Sequence, residues 1–387
     1  MSAATPYDEV CRAFTDTYGT RPEGAWAAPG RVNLIGEHTD YNEGFVLPFA
    51  IEARTVVAGA RRDGTTVRVA SRQRPGEDVS TDDADLRPGR PGGWSSYVLG
   101  VIWALRDDGH HIGGVDLLVD GGVALGSGLS SSAALECAAA LALCDLHGLG
   151  LPAERLAGLA QRAENDYVGA PTGPMDQMAS LLCTAGHALL LDTRSMATEQ
   201  VPLDPAGAGL ELVVVDTGVH HEHAEGAYGE RRRSCERACA ALAVRALRDV
   251  PVDGLEGSLE RLGDDELRRR VRHVVTEDAR TIGTVDALRS GDWAGVGRLM
   301  SASHVSMRDD YEISCAELDV AVAALVDAGA LGARMTGGGF GGCAVALLAA
   351  TGVDAAVRAV HEEFAVRGWA APFSFVTRPG GGASRVL

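Results

Sequence analysis

A mixed α/β protein in two lobes is the fold class this sequence predicts, and three observations predict it. Strand-like apolar runs, such as Val115–Val119 and Leu210–Val215, are interleaved with segments of helical spacing. A chain of 387 residues with 46% hydrophobic residues can bury two or three domain-sized cores. A Pro/Gly/Asp-rich join at 202–209 divides it, so residues 1–205 are expected to form one lobe and 206–387 the other.

Residues 6–18 set Val10, Phe14 and Tyr18 four apart, the spacing of a short amphipathic helix. A short apolar strand, Val32–Ile35, is bracketed by Gly30 and Gly36, and Glu37, His38, Thr39 and Asp40 follow in consecutive positions. Such a run suits the hydroxyls of one polar ligand, or a solvated turn before the apolar stretch Phe45–Ile51. Residues 54–71 alternate about Arg62-Asp63-Gly64 in the pattern of a hairpin. Pro75–Gly93 reads as a surface excursion, and Ser95 as the cap of a helix that turns Val98, Ile102 and Leu105 inward.

The chain is organised around Leu125-Gly126-Ser127-Gly128-Leu129-Ser130-Ser131-Ser132-Ala133-Ala134. It joins the strand at 115–119 to an expected helix, Ala133–Leu146, that stops at His147-Gly148. A helix start leaves backbone N–H groups unpaired and adds positive potential. Glycines let that backbone approach an anion, and the serine hydroxyls can cap the helix, meet phosphate oxygens or ligate a hard cation. A Ser-capped core helix after an ordinary loop fits the same pattern. All 35 basic residues are Arg; the chain has no Lys. That excludes a Walker A loop, the protein-kinase fold and Schiff-base chemistry.

Pro152 opens a helix expected to run to about Tyr167, with Glu164 one turn beyond the inward Ala160. A carboxylate there needs an ionic partner or a metal. Pro174 starts another helix and puts Asp176 in its first turn, where the dipole favours a carboxylate; a plain stabilising cap would look the same. Residues 187–191 and 210–215 read as strands. His220-His221-Glu222-His223 is a weak metal signal, expected to act as a rim or lid without a transition metal. Tyr228 precedes Arg231-Arg232-Arg233, which begins a helix expected to reach about Arg248. Helices fill most of 265–328. Ala333–Thr336, a turn of five glycines in six residues (337–342) and Cys343–Leu347 form strand, turn, strand. A last strand, Phe373–Thr377, precedes a Gly-rich tail expected to be loose.

A formal charge of −18 argues against nucleic-acid or anionic-membrane partners. No apolar run nears the roughly 18–20 residues that span a bilayer. The N-terminus carries no basic region followed by an apolar one, so no signal peptide is expected. Eight scattered cysteines fit a reduced, cytoplasmic chain, and a monomer is expected.

Gly30-Arg31-Val32-Asn33-Leu34-Ile35-Gly36-Glu37-His38-Thr39-Asp40-Tyr41-Asn42 closely resembles the galactokinase signature. Leu125–Ala134 resembles the phosphate loop of the GHMP small-molecule kinases, and Thr336–Cys343 their third, glycine-rich motif. Met175-Asp176-Gln177 also matches, and order and spacing agree over essentially the whole chain. The resemblance implies two α/β lobes with the active site between them, and transfer of the ATP γ-phosphate to the C1 hydroxyl of galactose with Mg2+. It implies Asp176 and Arg31 as catalytic residues, and Glu37, His38, Thr39, Asp40, Gly173 and Tyr228 as sugar-binding residues. It implies Gly126, Ser127, Gly128, Leu129, Ser130, Ser131, Ser132 and Ser71 as ATP-binding, and Ser132 and Glu164 as magnesium ligands. Thr172 and Pro174 depart from the family pattern around Gly173. A kinase for galactosamine or N-acetylgalactosamine, or a non-catalytic galactose- and ATP-sensing regulator, are the alternative readings.

Overall fold

The computed structural model describes residues 6–82, 85–220 and 224–387. The first half holds α1 (Pro6–Tyr18), β1 (Gly24–Asn33), β2 (Phe45–Val46), β3 (Pro48–Arg62), β4 (Val67–Ser71), β5 (Val79–Thr81), α2 (Ser96–Asp107), β6 (Gly114–Gly121), α3 (Ser131–Leu146), α4 (Ala153–Arg162), α5 (Met175–Leu182), β7 (His187–Asp192) and β8 (Ala197–Pro202). The second holds β9 (Leu210–His220), α6 (Ala224–Leu242), α7 (Leu255–Glu260), α8 (Asp265–Ser290), α9 (Trp293–Ser306), α10 (Ala316–Asp327), β10 (Gly332–Thr336), β11 (Gly341–Ala349), α11 (Val353–Val366), β12 (Phe373–Thr377) and β13 (Ser384–Arg385). Among the described residues, no helix is long and apolar enough to cross a membrane.

One sheet has the order β13-β1-β3-β6-β4-β5, a second the order β10-β11-β9-β12, and β2, β7 and β8 form a third. The hairpin expected over 54–71 does not form: β6 enters between β3 and β4, antiparallel to one and parallel to the other. Its central place buries Val115, Leu117 and Val119 in one core with α2 and α3, a long-range gain that outweighs the local turn. β1 is longer than Val32–Ile35 and ends at Asn33. Ala25–Pro29 carries little strand signal of its own and is held by pairing with β3, with a register shift between Pro29 and Arg31 where Pro29 has no N–H to give.

The two lobes share a core. Along β9, Val213 and Val215 pack with the second lobe's helices, while Leu212 and Val214 pack with Val32, Ile35 and Leu47 of the first. β11 alternates the same way: Ala344 and Ala346 on one side, Cys343, Val345 and Leu347 on the other. Burial on both faces is why these strands read as continuous apolar runs. The Gly-rich tail is not loose. Gly380 N donates to Ala50 O at 2.7 Å, Gly382 N to Cys183 O at 2.6 Å, and β13 pairs with β1 at Trp26 and Ala27. Residues 380–387 thus return to the first sheet, across the division expected at 205/206.

Two helices end earlier than their sequence pattern. α4 stops at Arg162 and passes into a wider π-type turn, Ala163–Val168, that ends at Gly169 with φ 93°. Such turns re-aim side chains, and this one carries Glu164. α6 ends at Leu242, where Ala243 takes φ 56°.

Candidate active site

A cavity of about 560 Å3 lies between the loop after β1, the loop into α3, residues 169–176, α6 and the glycine turn between β10 and β11. The approach of these backbones demands small residues. A Cβ on Gly30 would lie 2.6 Å from the Leu129 carbonyl, and one on Gly337 2.7 Å from that of Gly128. The glycine turn is therefore seated on the loop into α3, which answers why six residues replace a two-residue turn.

At the centre, Arg31 grips Asp176 with two bonds, Nε to Oδ1 and Nη2 to Oδ2, both 2.8 Å. Arg31 Nη1 donates to Gly128 O at 2.5 Å, and its backbone N–H to Leu129 O at 3.1 Å. The Ser130 hydroxyl donates to the Asp176 carboxylate. Asp176 sits in the first turn of α5, and the loop into α3 turns through positive φ at Gly126 (71°), Gly128 (79°) and Ser130 (56°). That presents the start of α3 to the cavity.

Glu37 is buried beneath the glycine turn. It accepts the Gly337 N–H at 2.6 Å and a bond from the Asn33 amide, with Arg334 Nη2 at 3.3 Å. Burial pushes its carboxyl up, against the pull of Arg334. His38 has φ 62°; its Nε2 lies 3.0 Å from Gly338 O and its Nδ1 2.6 Å from the Tyr41 hydroxyl. A carbonyl can only accept, so Nε2 carries the proton and Tyr41 donates to Nδ1. Tyr41 in turn meets Tyr311 at 2.9 Å, and the Tyr228 ring lies 4.9 Å from His38. Burial lowers His38 to about 3, so the ring is neutral. Asp40 abuts Gly173, where a Cβ would fall 2.0 Å from its Oδ2; burial beside Asp176 pushes its carboxyl up to about 7.

Glu164 also lines the cavity. Its Oε2 accepts from the Thr172 hydroxyl and from Gln177 Nε2, both at 2.8 Å, and burial near Asp176 raises its pKa. The departure at Thr172 thus supplies a hydroxyl to this carboxylate. Among the described lining residues Arg31 is the one Arg, against the carboxylates of Glu37, Asp40, Glu164 and Asp176.

The cavity brings together Arg31, Glu37, His38, Asp40, Gly126, Gly128, Ser130, Ser131, Ser132, Glu164, Gly173, Asp176 and Tyr228. Four expected residues stand outside its lining. The Thr39 hydroxyl lies 2.9 Å from Gly36 O and 2.7 Å from Phe45 O, holding its own turn. Ser127 donates to Ala124 O at 2.9 Å, and the Leu129 side chain belongs to the shared core. Ser71 ends β4, with Gln73 beside it. His221, Glu222 and His223 lie outside the described residues; His220 ends β9. Sequence reasoning missed Tyr311, Arg334 and His273, which come from distant segments and carry no local motif.

His273 is enclosed, its Nε2 3.1 Å from Glu37 O and its Nδ1 3.0 Å from the Ser306 hydroxyl, and burial lowers it to about 4 despite Glu277 nearby. An unfolded histidine takes a proton below about 6.5. The folded ring therefore contributes its full stability above that pH and loses it as pH falls toward about 4. Comparing urea unfolding of the wild type and His273→Gln at pH 7 and pH 4.5 should show a shallower acid loss in the variant. Parallel losses would reject the assignment.

Three family models match the chain: the galactokinase galactose-binding signature over residues 12–61, the GHMP kinases N terminal domain over 96–184 and the GHMP kinases C terminal over 284–366. A galactokinase of Streptomyces coelicolor is 54% identical over 379 residues, covering 98% of both chains. One of Mycobacterium tuberculosis is 44% identical, covering 90% of this chain and 98% of its own. The crystal structure of Lactococcus lactis galactokinase complexed with galactose superposes with a TM-score of 0.95 at 34% identity, covering 99% of this chain and 100% of that one. A mevalonate kinase of Methanococcus jannaschii shares the fold, with a TM-score of 0.67 at 15% identity over 92% of this chain and 98% of that one.

Proposed function

The chain belongs to the galactokinase family of the GHMP kinases, and from that premise we propose that it transfers the γ-phosphate of ATP to the C1 hydroxyl of D-galactose, giving galactose 1-phosphate and ADP. It is an ATP-dependent sugar kinase, with ATP as co-substrate. The observation that carries the reading is the two-bonded Arg31–Asp176 pair set between the loop into α3 and a polar cavity containing Glu37, His38 and Asp40.

In this reading Asp176 takes the proton of the C1 hydroxyl as its oxygen attacks the γ-phosphorus. Arg31 orients Asp176 and offers charge to the transferring group; positioning and neutralisation carry most of such a reaction. Glu37, His38, Asp40, Gly173 and Tyr228 form the sugar pocket, and Thr39 shapes the turn that presents it. Gly126–Ser132 and the start of α3 receive the phosphates through backbone N–H groups. Ser71 is assigned to the nucleoside side. Ser132 and Glu164 would hold Mg2+, and their hard oxygen donors fit it. A triphosphate also needs a cation here, since Arg31 is engaged by Asp176 and the other charged lining residues are acidic. When bound, Mg2+ neutralises phosphate charge. Residues 1–205 thus supply the sugar signature and phosphate loop, and 206–387 the glycine turn that closes over them. The setting is a cytoplasmic monomer acting on small molecules.

ADP release with MgATP across galactose, glucose, galactosamine and N-acetylgalactosamine tests the substrate. Galactose should be turned over, and glucose should fall by about 10^3-fold or more in kcat/KM, because a hydrogen-bonded site leaves a buried partner unpaired with the wrong epimer. No ADP with galactose, alongside turnover of an amino sugar, would overturn the reading.

A further inference from the structure

Glu136 lies on α3 one turn beyond Ser132, is completely buried, and has no part in the mechanism above. Among the described residues it forms no ion pair, a costly state for a carboxyl group in a protein core. Its hydrogen-bond partner is Gln177, the residue after Asp176. Gln177 Nε2 donates to Glu136 Oε2 at 2.9 Å and to Glu164 Oε2 at 2.8 Å. Both hydrogens of the amide are thereby used, while Gln177 Oε1 and Glu136 Oε1 find no partner among the described residues. The Thr172 hydroxyl donates to the same Glu164 oxygen at 2.8 Å. Both donors converge on Oε2 and neither on Oε1, so the Glu164 carboxylate is held in one orientation.

We propose that Glu136, acting through Gln177, is a positioning residue for the divalent cation: it locks the amide that turns Glu164 so that Oε1 faces the nucleotide site beside Ser132. The proposal rests on the reading of Glu164 as a cation ligand. It explains a buried carboxyl on a helix whose other buried residues are Ala, Leu and Cys. Groups behind a metal ligand orient it as the ligand orients the metal.

The test is Mn2+ binding in the presence of ADP, read by electron paramagnetic resonance, with galactose affinity measured by calorimetry. Glu136→Leu and Gln177→Met should each weaken Mn2+ binding by about tenfold. Galactose affinity should hold, and Glu136→Gln, which keeps an acceptor oxygen for the amide, should recover most of the loss. Wild-type Mn2+ binding in Gln177→Met, or equal weakening of Mn2+ and galactose, would overturn the proposal. Glu136→Met stands in where Glu136→Leu does not fold, and wild-type Mn2+ binding in either variant would also overturn the proposal. Glu164→Ala separates the two levels: unchanged Mn2+ binding there refutes the ligand reading itself. Impaired binding in Glu164→Ala with normal binding in Gln177→Met refutes only the positioning role.

Discussion

Asp176→Asn should lower kcat by about 10^3-fold while both ligands still bind, because an amide can keep an acceptor toward Arg31 but cannot take a proton. Arg31 grips both carboxylate oxygens at 2.8 Å and the Ser130 hydroxyl adds a third donor, so the Asp176 side chain is held in one orientation. Single-turnover phosphoryl transfer, with calorimetric affinities for galactose and nucleotide, is the measurement. A kcat within about tenfold of wild type would make Asp176 an orienting charge only, since tenfold is about 1.4 kcal/mol of barrier.

Arg334→Met should cost about 3–5 kcal/mol of stability, the range for removing one partner of a buried ion pair. Arg334 is fully buried, with Nη2 3.3 Å from Glu37 Oε2 and 3.7 Å from Glu277 Oε1, and Nη1 3.3 Å from Asn33 O. Met fills much of the volume but leaves Glu37 without its cation. Glu277 keeps Arg280 at 2.7 Å and the Ser303 hydroxyl at 2.6 Å. Glu37 should then relax from Gly337, and KM for the sugar should rise as the glycine turn loosens. Urea unfolding at neutral pH checks the stability; a loss below about 1 kcal/mol, the usual range of exposed pairs, would show that Arg334 is dispensable to Glu37.

Much of this site is legible in sequence because its parts are local. The loop before α3 needs glycines to turn and serines at a helix start, and both lie within ten consecutive residues. Asp176 follows a helix-starting Pro174, and Glu37–Asp40 follow one strand directly. The hairpin was misread because its strand pairing is non-local, and some side chains of the polar runs turn away from the cavity. Arg62-Asp63-Gly64 has the composition of a hairpin turn, yet β6, more than fifty residues later, takes the place beside β3. Thr39 belongs to the same polar run as His38 and Asp40, but its hydroxyl is turned to its own backbone. Ser127 and Leu129 lie in the loop into α3 and stand outside the cavity lining, Ser127 bonded to its own loop and Leu129 packed in the shared core.

The sequence by itself determined the α/β class, the glycine-serine loop before α3, the places of Arg31 and Asp176 and the family, because helix starts, glycine turns and signature residues are encoded over a few neighbours. Only the tertiary structure decided that the lobes share one core, that residues 380–387 return to the first sheet, and that Arg334 and His273 meet Glu37. It alone decided that Gln177 bridges Glu136 and Glu164. The reason is physical. Burial of apolar faces and the pairing of buried charges depend on which distant segments meet, and no local pattern of spacing records that meeting.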